Sequence, residues 1–470
     1  MIEEIFQSLV DGIPDYQEFM TLQEMDENSR ELARKHPEST SLFEMGRTRE
    51  GRPLLCLKIG GGERSALMFG CPHPNEPIGA MLLEYVARRL AEDEALREAL
   101  GYTWYIVKAW DADGLVKNEG WLKGPYNIYN YGRNFFRPAG HAQVDWTFPV
   151  DYGQLHFHDV LPESRAMMEL IDQIRPEFIY ALHNAGFGGT YWYETLPTPE
   201  IYDTLHAIPG KYGLPLSLGA AESPSNVEYA PAIYKCGGIR EEYDYLEKYC
   251  GKAELEKALS GLRSGDNSAS YAYERYGSFT LLTELPYFYD PRIEDLSPSD
   301  MTRLDVVRRS MAESAAIDRD LRRIIAISRK WLRDDDPFLG AVEDFTRDTG
   351  SDQAAINQAE ADPAYREMAT QAEKLDQLVV GKFYKMILYG MLVRANEEEL
   401  KRPSAEGGAE READLRAGFE AALQGLKEIT AFLEKNLDYS VVPIRRLIAV
   451  QLESGLEVLR YLKDRRTQSV

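Results

Sequence analysis

Between residues 66 and 107 the chain follows a pattern that few folds accept. An apolar run, Ala66-Leu67-Met68-Phe69, is broken by Gly70-Cys71-Pro72-His73-Pro74-Asn75-Glu76-Pro77. Ile78, Met81, Leu82, Tyr85 and Val86 then recur at helical spacing, and a second apolar run spans Tyr102 to Val107. Two parallel strands need a crossover long enough to hold a helix, so strand, helix, strand points to a parallel sheet. The predicted fold class is α/β: a mixed, largely parallel central sheet flanked by helices. Further strands are expected at Leu54–Ile59, at Pro176–Leu182, which ends at His183, and at Phe279–Thr283, which ends at Glu284. Residues 1–43 read as a helical lead-in, Glu44 to Pro53 as a turn, and 108–165 as loop-rich. Loops of that length inside a domain are usually functional.

Beyond about residue 300 strand signals fade. Long helices are expected near 353–371, 373–397, 409–435 and 443–464, with a polar break at Pro403 to Gly408. The last opens with Pro443 and carries Ile444, Ile448, Leu452, Leu459 and Leu462 on one face. With Arg333-Asp334-Asp335-Asp336-Pro337 as linker, the chain divides into a catalytic domain over 1–332 and an all-α C-terminal bundle over 333–470.

Composition narrows the partners. The 470 residues include 54 basic and 77 acidic ones, a net charge of −23, which disfavours nucleic acid and anionic membranes. The acidic N-terminus has no apolar stretch after it that reads as a signal peptide, and no run is long enough to span a bilayer. A cytoplasmic location is the expectation. Four cysteines, Cys56, Cys71, Cys236 and Cys250, show no CxxC spacing and read as small buried hydrophobes.

In α/β sheets ligands bind beyond the carboxyl ends of the strands. His73 and Glu76 lie just past one such end, His183 past another, and Glu284 at a third. With 7 histidines in the chain, a Glu three places after a His arises easily by chance. Three strand ends each delivering a His or Glu to one edge do not. Two His and one carboxylate make a zinc set with a fourth position open, and a further carboxylate is what hydrolysis needs to move a proton.

These residues, with others along 44–290, resemble the zinc carboxypeptidase family, the carboxypeptidase A-like metallopeptidases. Gly46 to Ile59 is similar to the family's lead-in to its first strands. His73-Pro74-Asn75-Glu76 and Leu182-His183 match its two zinc motifs. Asp111-Ala112-Asp113-Gly114 is similar to its Asn-Pro-Asp-Gly turn, Asn130 to Phe135 to its Asp-x-Asn-Arg-Asn-aromatic segment, and Tyr276 to Leu285 to its catalytic strand. The resemblance implies one Zn²⁺ ion held by His73, Glu76 and His183, with Glu284 as general base and then acid. It implies that Arg133, with Gly132 and Asn134 beside it, receives a substrate carboxylate, because a guanidinium fork matches a carboxylate. Lys123 takes the oxyanion-stabilising role, and Tyr271 that of the substrate-capping tyrosine. Gly132 and Asn130 depart from the family's Asn and Asp at those places.

Other features have plainer readings. His156 and His158 have no evident third ligand. Tyr126, Tyr129, Tyr131, Phe135 and Phe136 read as loop packing ahead of a cleft lining, and Trp192 and Tyr193 as core. The expected function is a zinc-dependent hydrolase that cleaves a peptide or amide bond near a free carboxylate, with a peptide or acyl-amino-acid substrate. The alternatives are a deacylase or trimming enzyme for N-acyl amino acids or modified peptides, and a silent binding scaffold. The C-terminal helices are assigned either to oligomer formation or to capping the cleft.

Overall fold

The computed structural model describes residues 2–347, 350–403 and 408–468. Nine strands make one sheet: β1 (Thr40–Arg47), β2 (Pro53–Ile59), β3 (Arg64–Gly70), β4 (Tyr102–Val107), β7 (Phe178–Leu182), β8 (Tyr191–Glu194), β9 (Glu228–Ala230), β10 (Ile233–Lys235) and β11 (Phe279–Glu284). Strands β5 (Val150–Tyr152) and β6 (Leu155–Phe157) form a separate hairpin. The sheet order is β1-β2-β4-β3-β7-β11-β8-β10-β9. The block β4-β3-β7-β11 is parallel throughout, and β2 and β8 join it antiparallel. The sheet is therefore mixed and largely parallel, as its sequence pattern demands.

Both faces of the parallel block are covered. Leu67, Phe69, Ile179 and Ala181 pack under helices Pro162–Ile174 and Ser268–Tyr276. Met68, Tyr180, Leu182 and Leu281 point the other way, into a core shared with helices Ile78–Glu92 and Ile444–Gln468. Double burial explains the continuous apolar runs of these strands. Each fully buried Leu or Phe contributes about 1.5–3 kcal/mol to holding the layers together.

Register then places the strand ends. Gly70 pairs with Leu182, and Leu182 with Thr283. The chain thus leaves β3, β7 and β11 along one edge.

Several elements differ from expectation. Thr40–Arg47 is the edge strand β1 rather than lead-in and turn, a position where one neighbour and a β-bulge at Glu44/Gly46 weaken the alternating pattern. Strands β8, β9 and β10 have only three or four residues, too few for a periodic signal. The 108–165 stretch holds helices Ala112–Leu122 and Ile128–Asn134 beside the β5–β6 hairpin. The helix expected near 353–371 stops at Ala361, because Pro363 disfavours helical backbone at Asp362.

The C-terminal region is helical: Arg303–Ser328, Pro337–Phe345, Ser351–Ala361, Gly381–Lys401, Gly408–Asn436 and Ile444–Gln468. Part of the polar break, 404–407, lies outside the described residues. Helix Gly381–Lys401 crosses helix Ile128–Asn134 at a contact of two glycines. A Cβ on Gly390 would lie 1.8 Å from the Gly132 carbonyl oxygen. Among the described residues no helix is long and apolar enough to cross a membrane.

Candidate metal centre

The loop after β3 is a single tight turn braced from three sides. Cys71 adopts a left-handed conformation at φ 49°, which swings the chain out of the strand. The Glu76 amide then donates to the His73 carbonyl at 3.1 Å, closing the turn. Asn184, from the loop after β7, accepts the Ile78 amide at 3.1 Å, the first donor of the following helix. Tyr287, from the loop after β11, donates to the Asn75 carbonyl at 2.9 Å and to Asn184 Oδ1 at 3.2 Å. Each strand-end loop therefore holds another in place.

This bracing brings His73, Glu76 and His183 together, with one ligand atom from each within 4.8 Å of the others. His73 Nδ1 lies 3.0 Å from Glu76 Oε1, and His183 Nδ1 lies 3.1 Å from Glu76 Oε2. Donors bound tetrahedrally to one zinc ion at about 2.0–2.2 Å sit roughly 3.3 Å apart, so the spacing suits the ion. All three residues are at most 5% exposed. His183 Nδ1 is close to Glu76 but makes no hydrogen bond with it, and both His183 ring nitrogens and His73 Nε2 are buried without partners among the described residues. Buried polar atoms are otherwise nearly always paired, and these orphans fit a metal as their partner.

Protonation states agree. Burial, then the nearby Arg137 charge, pushes the His73 imidazole down to about 3, leaving it neutral. Burial alone would raise the Glu76 carboxyl, but the two imidazoles outweigh it and hold it below the usual range. Neutral His and ionised Glu are the forms that bind a metal.

Glu284 Oε1 stands 3.7 Å from His183 Nδ1, while its Oε2 is buried and unpaired. Burial raises this carboxyl well above its ordinary value, aided by the Glu222 and Glu76 charges. These four residues line one cavity of about 700 Å³, within the size range of small-ligand sites.

The structure does not bring the expected substrate-binding residues to this cavity. Arg133 Nη2 pairs with Glu397 at 2.8 Å on the C-terminal helices, pointing away from the metal residues. Gly132 faces Met386 across the helix crossing, and Asn134 donates back to the Asn130 carbonyl at 3.1 Å. Lys123 ends its helix in an exposed ion pair with Glu24 at 2.8 Å. Tyr271 donates to Asp172 at 3.0 Å on the far side of its helix. For Lys123, Gly132, Arg133 and Asn134 the reason is shared: 112–134 folds into two helices whose polar residues serve the helix surfaces; Tyr271 lies on helix Ser268–Tyr276, where its hydroxyl is taken up by Asp172. His156 and His158 share Asp151 on the exposed β5–β6 hairpin, away from the cavity.

Other residues occupy the places these vacate. Arg137 lines the cavity with Nη1 3.4 Å from Glu76 Oε1, its guanidinium carbon 5.2 Å over the Trp146 ring and Nε donating to Gln143 at 3.0 Å. Asp145 is buried beside it and accepts the Ser268 amide at 2.8 Å. Burial pushes the Asp145 carboxyl up to about 6. Lys235 and Lys385 also line the cavity but are paired with Glu241 at 2.6 Å and Asp318 at 2.7 Å. Arg137 lies four residues past Arg133, so the sequence offered both arginines with no local signal between them. The far wall comes from the C-terminal helices through Phe345, Phe383, Ile387 and Leu388, and no spacing in the sequence could have linked them to His73.

A family model described as zinc carboxypeptidase matches residues 25–285. Carboxypeptidase D of Drosophila melanogaster is 27% identical over 147 residues, which cover 28% of this chain and 10% of that protein. The chain thus matches about a tenth of that relative's length. Among solved structures, a carboxypeptidase A from Helicoverpa armigera is similar with a TM-score of 0.38 and 16% identity over 61% of this chain and 71% of that one. A metallo-carboxypeptidase from Burkholderia cenocepacia gives 0.36 and 17% over 57% and 60%. The family match spans more than half of the sequence and contains both zinc motifs and Glu284, so the chain belongs to the zinc carboxypeptidase family.

Proposed function

We propose that the protein hydrolyses the peptide or amide bond of a short substrate, with His73, Glu76 and His183 holding one zinc ion and Glu284 moving the proton. The observation that carries this reading is the convergence of the three ligands with Glu284 only 3.7 Å from His183, inside one cavity. Bound there, zinc supplies a Lewis acid that acidifies water and polarises a carbonyl. Glu284 accepts the proton from the attacking water and delivers it to the leaving amine. Its raised affinity for a proton suits both halves of that task. The Arg137 guanidinium, steadied by Trp146 and Gln143, faces the carbonyl oxygen as negative charge develops on it.

The same arginine is also the cation for a substrate carboxylate, since its contact with Glu76 at 3.4 Å is longer than the pairs that hold Lys235 and Lys385 at 2.6 and 2.7 Å. That favours the narrower reading of a trimming enzyme or deacylase for short or modified peptides over a general C-terminal exopeptidase. A cavity of about 700 Å³, walled by helices, suits a few residues of substrate rather than a folded chain. We place this chemistry in the cytoplasm.

The test is metal analysis with a peptide-library digest of wild type and Glu284→Gln. One equivalent of zinc in both proteins, with hydrolysis lost only in the variant, is the expected result. Undiminished cleavage by Glu284→Gln would remove the proposed mechanism. Rapid turnover of simple C-terminal dipeptides would remove the narrower reading, and a wild type without metal would revive a binding scaffold.

A further inference from the structure

His183 is the first residue beyond β7, and its backbone is held from two sides. Its amide donates to the Thr283 carbonyl of β11 at 3.3 Å. Its carbonyl, past the end of the ladder, accepts Nε2 of Gln451 at 3.1 Å. Gln451 belongs to the helix Ile444–Gln468, 268 residues along the chain and outside the stretch that matches the family. Tyr180, on β7 itself, donates to the Gln451 backbone carbonyl and shares a 2.8 Å hydrogen bond with Thr283 Oγ1. One turn further, Ser454 Oγ accepts Trp192 Nε1 at 3.1 Å, and a Cβ on Gly455 would touch the Tyr180 ring at 2.6 Å.

Gln451 is a poor choice for stability alone. It is fully buried on a face with Leu447, Ile448 and Leu452, and its Oε1 finds no partner among the described residues. A buried polar atom left unpaired costs about 1–3 kcal/mol, and an unbranched apolar side chain would avoid that cost. What glutamine supplies is one donor aimed at the carbonyl of a metal ligand. Without it that buried carbonyl would be an orphan, and the peptide plane that sets the direction of the His183 ring would lose its stop. Metal sites need their ligands held within about 0.5 Å and 10–20°.

We propose that Gln451 is a positioning residue for the zinc ligand His183, so that the last helix is part of the metal centre. The inference rests on the zinc reading above. It carries a reciprocal consequence: if the docked helix tightens zinc, bound zinc tightens the helix.

The experiment compares zinc affinity, by competition with a chromogenic chelator, in wild type, Gln451→Met and Ser454→Ala. Methionine keeps the length and removes the donor; Ser454→Ala cuts a different bond of the same helix. Loss of an outer partner of a metal ligand typically weakens binding 10–100-fold. That loss is expected in Gln451→Met with the metal-free melting temperature maintained, and Ser454→Ala is expected to bind zinc as wild type does. Unchanged affinity in Gln451→Met, or equal weakening in both variants, overturns the proposal. Amide exchange of the wild type with and without zinc provides a readout that needs no folded variant. Protection of 444–468 is expected to rise with zinc, and identical protection overturns the proposal. A wild type that binds no zinc removes the reading of the site itself, a different failure from zinc-binding wild type with an indifferent Gln451→Met.

Discussion

Two arginines four positions apart do different work. Arg137 leans on Trp146 and reaches Glu76 at 3.4 Å inside the cavity; Arg133 reaches Glu397 at 2.8 Å outside it. Arg137→Ala is expected to lower kcat/KM by about 10²–10³, the usual loss when one oxyanion donor is removed, with zinc content unchanged. Arg133→Ala is expected to leave KM alone and to cost under about 1 kcal/mol, as part-exposed ion pairs do. Steady-state kinetics and thermal melting of the two variants check this, and a rise in KM confined to Arg133→Ala would reverse the assignment. The convergence of His73, Glu76 and His183 was legible in the sequence because each lies within a few positions of a strand end, and strand ends are written in apolar runs. Arg137 and Asp145 were not, because one sits on irregular backbone and the other in a three-residue 3-10 turn between helix Ile128–Asn134 and the β5–β6 hairpin, where nothing periodic fixes direction.

Among the elements, β8 carries a titrating group that bears on stability rather than on chemistry. Glu194 ends this strand with both carboxyl oxygens accepting from Thr198 Oγ1, at 2.8 and 2.9 Å. Burial pushes its carboxyl from 4.5 up to about 7. A folded-state value above the unfolded one means that the native form holds the proton more tightly. Its contribution is therefore fully present below pH 4.5 and lost as the pH rises through about 7. Glu194→Gln, neutral at every pH, is expected to raise stability at pH 8 by on the order of 2 kcal/mol and to change little at pH 4. Melting curves at the two values check it, and equal shifts at both would refute it. The parallel strands were readable because double burial writes continuous apolar runs. Gly132 was not readable in this way. It stands where the resemblance led one to expect a substrate-binding Asn, yet its neighbour is Gly390, whose Cβ would fall 1.8 Å from its carbonyl oxygen. The crossing demands Gly390, while a Cβ on Gly132 would meet the Met386 side chain at 2.7 Å, and no local mark in the sequence tells these two glycines apart.

For the whole molecule, the candidate metal ligands, the sheet and the C-terminal helices form one connected structure. The family match ends at residue 285, but Phe383, Ile387 and Leu388 wall the cavity and Gln451 touches the backbone of a metal ligand. Zinc that binds only the folded chain stabilises it by mass action, by about 2.7 kcal/mol at a free concentration 100 times its dissociation constant. A chelator is thus expected to lower the melting temperature of the entire chain in one transition, C-terminal helices included. Calorimetry showing those helices melting unchanged would contradict it. This coupling was the least legible feature, because amphipathic helices advertise a buried face without naming what they bury it against.

The 268 residues that separate His183 from Gln451 also set a clock. A ribosome adding 5–20 residues per second delivers the second partner roughly 13–54 s after the first. During that interval His73, Glu76 and His183 are already made, while the helix Ile444–Gln468 that holds the His183 carbonyl is not yet complete. Until then a nascent chain carries His73, Glu76 and His183 without the hydrogen bond that steadies the His183 carbonyl.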